Sequence, residues 1–330
     1  MTFKFKNAYL NEVATVVGPY EKNGPLGKYF DRGYKNLYCS ADTWEKAEVK
    51  ILNESMNMAI KKNKLTKDDI DLVISGDLLN QVCSSSYAVK DLNRPFFGIY
   101  NACSTNVEAL IIGASLVSSK YINKCLCSVS SHNMSSEKQF RNPTEYGAPK
   151  PKTATFTATG GASAVVSSVV SDIKIEFGTI GKVVDYNQND PLDMGAVMAG
   201  AAADTIKTHL EDTKRDASYY DLIVTGDLGL YGKEILKEFM MSEYKIDLSK
   251  NYNDCGVILY DTKKQPEVLA GGSGPVCSAL VLYTYIINEM KKKNLKRVLV
   301  VATGALFNPN FVFQKENILS IAHAISLEAI

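Results

Sequence analysis

The segment Tyr100-Asn101-Ala102-Cys103-Ser104-Thr105-Asn106 places a single thiol where an apolar strand, Phe96 to Tyr100, gives way to a helix of small and apolar residues, Val107 to Ser119. Backbone N–H groups left unpaired at a helix start, together with the helix dipole, favour a thiolate and draw its pKa below the free value of about 8.5. The same amides attract anions. The local chemistry therefore offers a covalent nucleophile or a carboxylate-binding pocket. A third reading, a cysteine serving as a small buried hydrophobe, stands beside them. Choosing among the three requires the elements that position the sulfur.

Those elements come in two copies. Asp71-Leu72-Val73-Ile74-Ser75-Gly76-Asp77-Leu78 returns as Asp221-Leu222-Ile223-Val224-Thr225-Gly226-Asp227-Leu228, and such self-similarity marks a duplicated unit. Each copy follows a helical segment and an acidic turn: Thr43 to Asn63 then Thr66-Lys67-Asp68-Asp69 in the first, Met194 to Glu211 then Asp216 to Tyr220 in the second. Thr66 reads as an N-cap with Asp68 and Asp69 in the first turn. The Cys103 turn and its helix match Gly271 to Ala279 with a helix through Met290, and strand Lys124 to Ser130 matches Arg297 to Thr303. Short buried strands alternating with helices predict an α/β fold of two similar halves, with mixed sheets sandwiched by helices and packed face to face. Ala162 to Val170 and Ile173 to Val184 have no helix between them and are expected to form an antiparallel edge at the handover. That places the boundary near 170, giving halves 1–170 and 171–330. The Gly-Asp pairs at Gly76 and Gly226 lack the glycine pattern that cradles phosphate and are read as equivalent strand ends.

Between His132 and Thr159 runs a stretch with Pro143, Gly147, Pro149 and Pro151 and no helical or strand period. Long loops of this kind are usually functional or disordered. This one starts at the end of the strand that follows the Cys103 helix, and ligands in open α/β sheets gather at the carboxyl ends of strands. Of its charged residues, Lys138, Lys150 and Lys152 read singly as solvated surface, whereas His132 and Arg141 are expected to face the site.

The 330 residues are 45% hydrophobic, enough for a large core, and 37 Lys+Arg against 36 Asp+Glu leave no field to recruit nucleic acid. No apolar run approaches the roughly 18 to 20 residues that span a bilayer, and Met1 to Lys6 lacks the apolar centre of a signal peptide. The chain is expected to stay soluble or to sit on a surface. Its seven cysteines, odd in number and without CxxC spacing, point to reduced thiols and to neither a disulfide frame nor zinc. Cys125 and Cys127 are expected to share one buried face. Lys291, Lys292, Lys293, Lys296 and Arg297 suit an anionic surface but read first as compensation of a helix C-terminus. No metal and no cofactor is expected.

A duplicated βα unit with a cysteine at the strand-to-helix turn of its first half resembles the thiolase superfamily, whose active-site cysteine occupies the place of Cys103. Within it the chain is similar, end to end, to the stage V sporulation AD family. The likeness is carried by Ser75-Gly76-Asp77-Leu78-Leu79-Asn80-Gln81, Ala102-Cys103-Ser104-Thr105, Ser130-Ser131-His132-Asn133, Glu137-Lys138-Gln139-Phe140-Arg141 and Thr144-Glu145-Tyr146-Gly147. Further matches are Asp190-Pro191-Leu192-Asp193-Met194-Gly195, Tyr219 to Gly229, and Val300-Val301-Ala302-Thr303-Gly304-Ala305-Leu306. The resemblance implies a thiolase-like fold used for binding. Its ligand would be dipicolinic acid, taken up into the developing forespore with membrane channel partners from the same operon. It also implies a place in the forespore or spore, peripheral to the inner membrane through those partners, and it admits a homodimer.

The resemblance also exposes what has changed. Aligned by its glycines and serine, Gly272-Ser273-Gly274-Pro275 puts Ser273 where a thiolase has histidine, and Thr303-Gly304-Ala305 lies in the region of the second catalytic cysteine. Neither serves as a base near neutral pH. Of the three histidines, His209 falls in a helix and His323 in an apolar terminal segment, which leaves His132 as the candidate partner of Cys103. The expectation is a binder with Cys103 as a vestigial nucleophile and no catalytic residue assigned. An acyl-CoA condensing or thiolytic enzyme acting through Cys103 is the alternative. Dipicolinate, a flat ring with two carboxylates, needs charge-assisted donors and apolar walls. The expected pocket comprises Asn101, Cys103, Ser104, His132, Arg141, Glu145, Tyr146, Lys152 and Ser273. In it Arg141 forks onto one carboxylate, amides near Cys103 and Ser104 hold the other, Glu145 orients Arg141, and Tyr146 or Phe140 covers the ring.

Overall fold

Buried apolar strands dominate both halves. The computed structural model describes residues 1–140 and 149–330. Its first half is built on β1 (Tyr9–Val17), β2 (Leu72–Gly76), β3 (Phe96–Gly98), β4 (Lys124–Ser131) and β5 (Gly160–Ser167). The second is built on β6 (Ile173–Ile180), β7 (Leu222–Thr225), β8 (Tyr252–Asp254), β9 (Arg297–Ala305) and β10 (Ser320–Ala329). The strand orders are β1-β5-β4-β2-β3 and β6-β10-β9-β7-β8, and the two sheets join into one continuous sheet where β1 pairs with β6. Each sheet runs parallel through its outer three strands and antiparallel through the rest. The repeated octapeptide thus occupies β2 and β7, the same place in both copies.

The antiparallel edge expected of Ala162–Val170 and Ile173–Val184 is not there. β5 and β6 lie in the middle of the strand order with β1 between them. Their local alternation reports strand character, whereas the partner of each strand is set by residues far away in sequence, which no short window contains.

Helices complete the layers. Thr43 accepts the Lys46 N–H and caps α1 (Trp44–Lys62), which covers β1, β4 and β5 from outside. α2 (Thr105–Ser118) packs on β4 and β5 and also on β9 and β10, so it lies between the sheets. Its composition follows from that position, because a helix covered on all sides can be apolar all round: Val107, Leu110, Ile111, Ala114 and Val117 are all buried. Gly113 permits the close approach, since a Cβ there would sit 2.8 Å from Cys127 Sγ. Cys125 and Cys127 are buried on one face with their sulfurs 3.8 Å apart. The short acidic turn before β2 forms as read, with the Thr66 N–H donating to Asp69 at 2.8 Å in a capping box.

The stretch after His132 holds a helix that periodicity did not reveal, α3 (Asn133–Phe140). Its buried residues are Asn133, Ser135 and Ser136, so its inward face is polar and leaves no apolar stripe to read. α4 (Met194–Thr213) covers β6, β9 and β10 from the far side, and α5 (Pro275–Val281) continues through a π-turn to Lys291 in the central layer.

Candidate functional site

The Cys103 turn is set by one left-handed residue. Ala102 has φ 50, a conformation that costs a non-glycine residue roughly 1 kcal/mol. It reverses the chain so that Cys103 meets solvent partly while Ala102 and Ser104 are buried. Two amides of this turn are already in use. Ser104 N–H donates to the Asn101 carbonyl at 3.1 Å and Thr105 N–H to the Ala102 carbonyl at 3.4 Å. The Ser104 hydroxyl also donates to the Asn101 carbonyl, at 2.7 Å. The Ser104 and Thr105 amides are therefore committed within the turn and do not point to a carboxylate or a thiolate.

A buried carboxylate stands behind the sulfur. Asp227, at the carboxyl end of β7, accepts the Thr303 hydroxyl on Oδ1 at 2.7 Å. Its Oδ2 accepts the Ser273 hydroxyl at 2.9 Å and the Gly274 N–H at 3.1 Å. Ser273 Oγ lies 3.8 Å from Cys103 Sγ. Because its one proton is committed to Asp227, Ser273 offers the sulfur only lone pairs, and the sulfur must supply the hydrogen. Burial pushes the Cys103 thiol well above its ordinary range, and the neighbouring Asp227 charge pushes it further. Cys103 is thus held as a neutral thiol, the reverse of what its place before a helix implies. Asp227 itself is raised, chiefly by burial, against the donors that surround it.

Two glycines let the halves converge here. Gly274 has φ 95, and a Cβ there would lie 2.7 Å from Ser131 Oγ. Gly304 brings β9 against the Cys103 turn, where a Cβ would lie 2.6 Å from the Asn101 carbonyl oxygen. Both segments aligned with thiolase catalytic loops thus reach the Cys103 turn, where Ser273 faces the sulfur and Thr303 holds Asp227.

In front of Cys103 lies a cavity of about 80 Å³, several times the roughly 10–15 Å³ that one water requires. Tyr100, Phe140, Phe307, Leu78, Pro191, Met194, Met198, Ala102 and Ala305 give it apolar walls, and Cys103, Ser273, Ser136, Glu137, Thr155 and Thr157 supply polar atoms. Among the described residues lining it there is no lysine or arginine.

The expected pocket is only partly assembled. Cys103 and Ser273 come together, and Phe140 is on the wall. His132 does not join them: its Nε2 lies 2.7 Å from the Leu37 carbonyl oxygen, and its Nδ1 accepts the Met134 N–H at 3.2 Å. With both ring nitrogens on the main chain it has none to offer the thiol, and burial lowers its pKa. Asn101 turns its carboxamide to His323 Nε2, at 3.0 Å, and not into the cavity. Ser104 is buried in the turn, and Lys152 is exposed away from the lining. Arg141, Glu145 and Tyr146 lie outside the described residues. His209 holds Thr179 and Tyr220 side chains at 2.7 and 2.6 Å, a packing role.

Sequence reasoning missed Asp227 and the hydrophobic lining. The signal for Asp227 was present in the repeated Gly-Asp at Gly76 and Gly226, because a carboxylate at a strand's carboxyl end faces the ligand side of the sheet.

The family model of stage V sporulation protein AD matches residues 1–328. The chain belongs to this family. A curated relative, stage V sporulation protein AD of Bacillus subtilis strain 168, is 45% identical over 320 residues, covering 97% of this chain and 94% of its own. Among solved structures, a variant of Xanthomonas campestris OleA superposes with a TM-score of 0.63 at 14% identity, over 99% of each chain. 3-Oxoacyl-[acyl-carrier-protein] synthase III of Aquifex aeolicus VF5 superposes at 0.58 and 13% identity, over 97% of this chain and 99% of its own. At such identities the likeness shows the fold alone, and that fold is thiolase-like. The family is thus a sporulation family with a thiolase-like architecture. No helix among the described residues is long and apolar enough to cross a membrane.

Proposed function

We propose that this chain is a small-molecule binder that captures dipicolinate for uptake into the developing forespore, working with membrane channel proteins of the same sporulation stage. The observation that carries the reading is the pairing of Cys103 with a buried aspartate in place of an imidazole. A nucleophile needs a base that takes its proton or a field that favours the thiolate. Asp227 supplies a negative field, and Ser273 supplies no proton. A pocket relieved of chemistry can still hold a flat ring, and Tyr100, Phe140 and Phe307 suit that purpose.

The carboxylates need cations that the described lining lacks. Lys150 stands against the wall, with Nζ 2.8 Å from Glu137 Oε1, and Arg141 follows Phe140 directly in sequence. Arg141 is assigned as the fork for one carboxylate. Isothermal calorimetry tests this. Wild type is expected to bind dipicolinate, and Arg141→Ala to bind it about ten- to a hundredfold more weakly, the usual cost of removing one member of a charge-assisted pair. Equal affinities would remove Arg141 from the site, and absence of binding by wild type would remove the ligand.

A second reading, acyl transfer from a coenzyme A thioester to Cys103, draws on one observation: the sulfur still faces the cavity.

A further inference from the structure

The cavity at Cys103 shares part of its wall with a second, larger groove of about 590 Å³. Tyr100, Phe140 and Phe307 line both spaces. The Phe140 and Phe307 rings are 5.5 Å apart between centroids and inclined by 54°, so a tilted aromatic pair forms part of the wall that the two spaces share. One ring is firmly based. Gln139, its chain neighbour, donates to the Leu78 carbonyl at 2.7 Å and accepts the Asn80 N–H at 2.9 Å, and Lys138 pairs with Glu45 at 2.6 Å. The other ring belongs to the segment between β9 and the short helix Pro309–Phe313.

The outer groove has a different chemistry from the inner one. Its rim carries the carboxamides of Asn80, Gln81, Asn308 and Asn310, all exposed. Asn308 accepts the Asn310 N–H on its Oδ1 at 2.9 Å, so its NH₂ group is the part of the carboxamide left to donate. The Gln81 and Val82 backbones are both left-handed, with φ 59 and 54. That is costly for a β-branched residue and is typical of segments held for a purpose. Neutral N–H donors around an aromatic-walled groove accommodate a planar ring bearing carboxylates, and they do so without the full charge that would hold it tightly.

We propose that this outer groove is a receiving subsite for planar aromatic carboxylates, separated by the Phe140–Phe307 pair from the chamber at Cys103. The ligand would rest first among the carboxamides and then pass between the rings. Identification of the ligand as dipicolinate rests on the function proposed above; the partition itself does not.

Cys103 reports on passage without any ligand. Five of the other cysteines are buried, and Cys83, partly exposed and lining neither chamber, serves as an internal reference. The full chain is treated with N-ethylmaleimide, and modification at each cysteine is followed by peptide mass spectrometry. Phe307→Ala is expected to speed modification of Cys103 relative to Cys83 by about tenfold or more, as removal of a gating side chain does; an unchanged ratio overturns the partition. Should Phe307→Ala fail to fold, Phe307→Leu, which keeps bulk and loses the ring face, is expected to speed it severalfold, and no change there overturns it equally. For the subsite, stopped-flow mixing with dipicolinate is expected to show slower association for Gln81→Ala/Asn308→Ala than for wild type, and equal rates overturn it. If dipicolinate does not bind wild type at all, the receiving subsite falls together with the proposed function, and the maleimide ratio still decides the partition.

Discussion

Asp227→Asn is expected to raise the rate at which iodoacetamide alkylates Cys103 at pH 8 by about tenfold for each pKa unit released. Burial raises the thiol most, and the Asp227 charge is the next largest contribution. Asparagine has the shape of aspartate and keeps acceptor capacity for Thr303, Ser273 or the Gly274 N–H, but it carries no charge. The thiolate then forms beside a neutral amide that can donate to it. Cys83 again provides the reference. A rate equal to wild type would mean that Asp227 does not hold the proton on Cys103.

Glu48→Gln is expected to make the protein more stable at alkaline pH. Glu48 is buried in α1, where its carboxylate accepts the Ser130 hydroxyl at 3.1 Å and the Ser135 hydroxyl at 2.7 Å. Burial pushes it up to about 8, and the charge of Asp77 adds to the rise. The facing groups include Asp77, which is itself raised chiefly by burial and accepts the Leu79 and Ser85 N–H groups. A folded pKa above the unfolded value of about 4.3 means that the native state binds the proton more tightly. Stability from this group is complete below about pH 4.3 and is lost as pH climbs toward 8. Glu21, pushed up to about 7 mainly by burial, and Asp254, pushed up to about 6 mainly by burial, act in the same direction. His209 and His323, both lowered to about 4 by burial first, act oppositely: their stability is present above the free histidine value and lost as pH falls. Wild-type stability should therefore peak near mild acidity. Urea unfolding at pH 5.5 and pH 8.5 measures the effect. The advantage of Glu48→Gln over wild type should be larger at pH 8.5 than at pH 5.5 by on the order of 3 kcal/mol. Parallel pH profiles for the two proteins would contradict the assignment. The effect reaches the cavity, because Ser135 ties α3 to Glu48 while Ser136 and Phe140 of the same helix line the wall.

Much of this architecture was legible from local signals. The repeated strings at Asp71 and Asp221 located equivalent strands, Thr66 marked the cap of the acidic turn before the first of them, and the glycines around Ser273 aligned that altered loop with Cys103. What was hidden depends on partners distant in sequence. The placement of β5 and β6 at the centre follows from pairing across the halves. α3 went unread because serines form its inward face. The burial of Asp227 is decided by Ser273 and Thr303, and an aspartate near a strand end reads as solvated until those hydroxyls are seen to close over it. His132 lies at the expected strand end, yet its ring serves the Leu37 and Met134 main chain, an orientation that sequence does not encode.

Intact-mass spectrometry of wild type after incubation with acetyl-CoA or acetoacetyl-CoA tests most directly whether Cys103 has been retired from chemistry. The expected result is an unmodified chain, because the sulfur keeps its proton beside Asp227. A stable acyl adduct that maps to Cys103 would contradict it and return the site to catalysis.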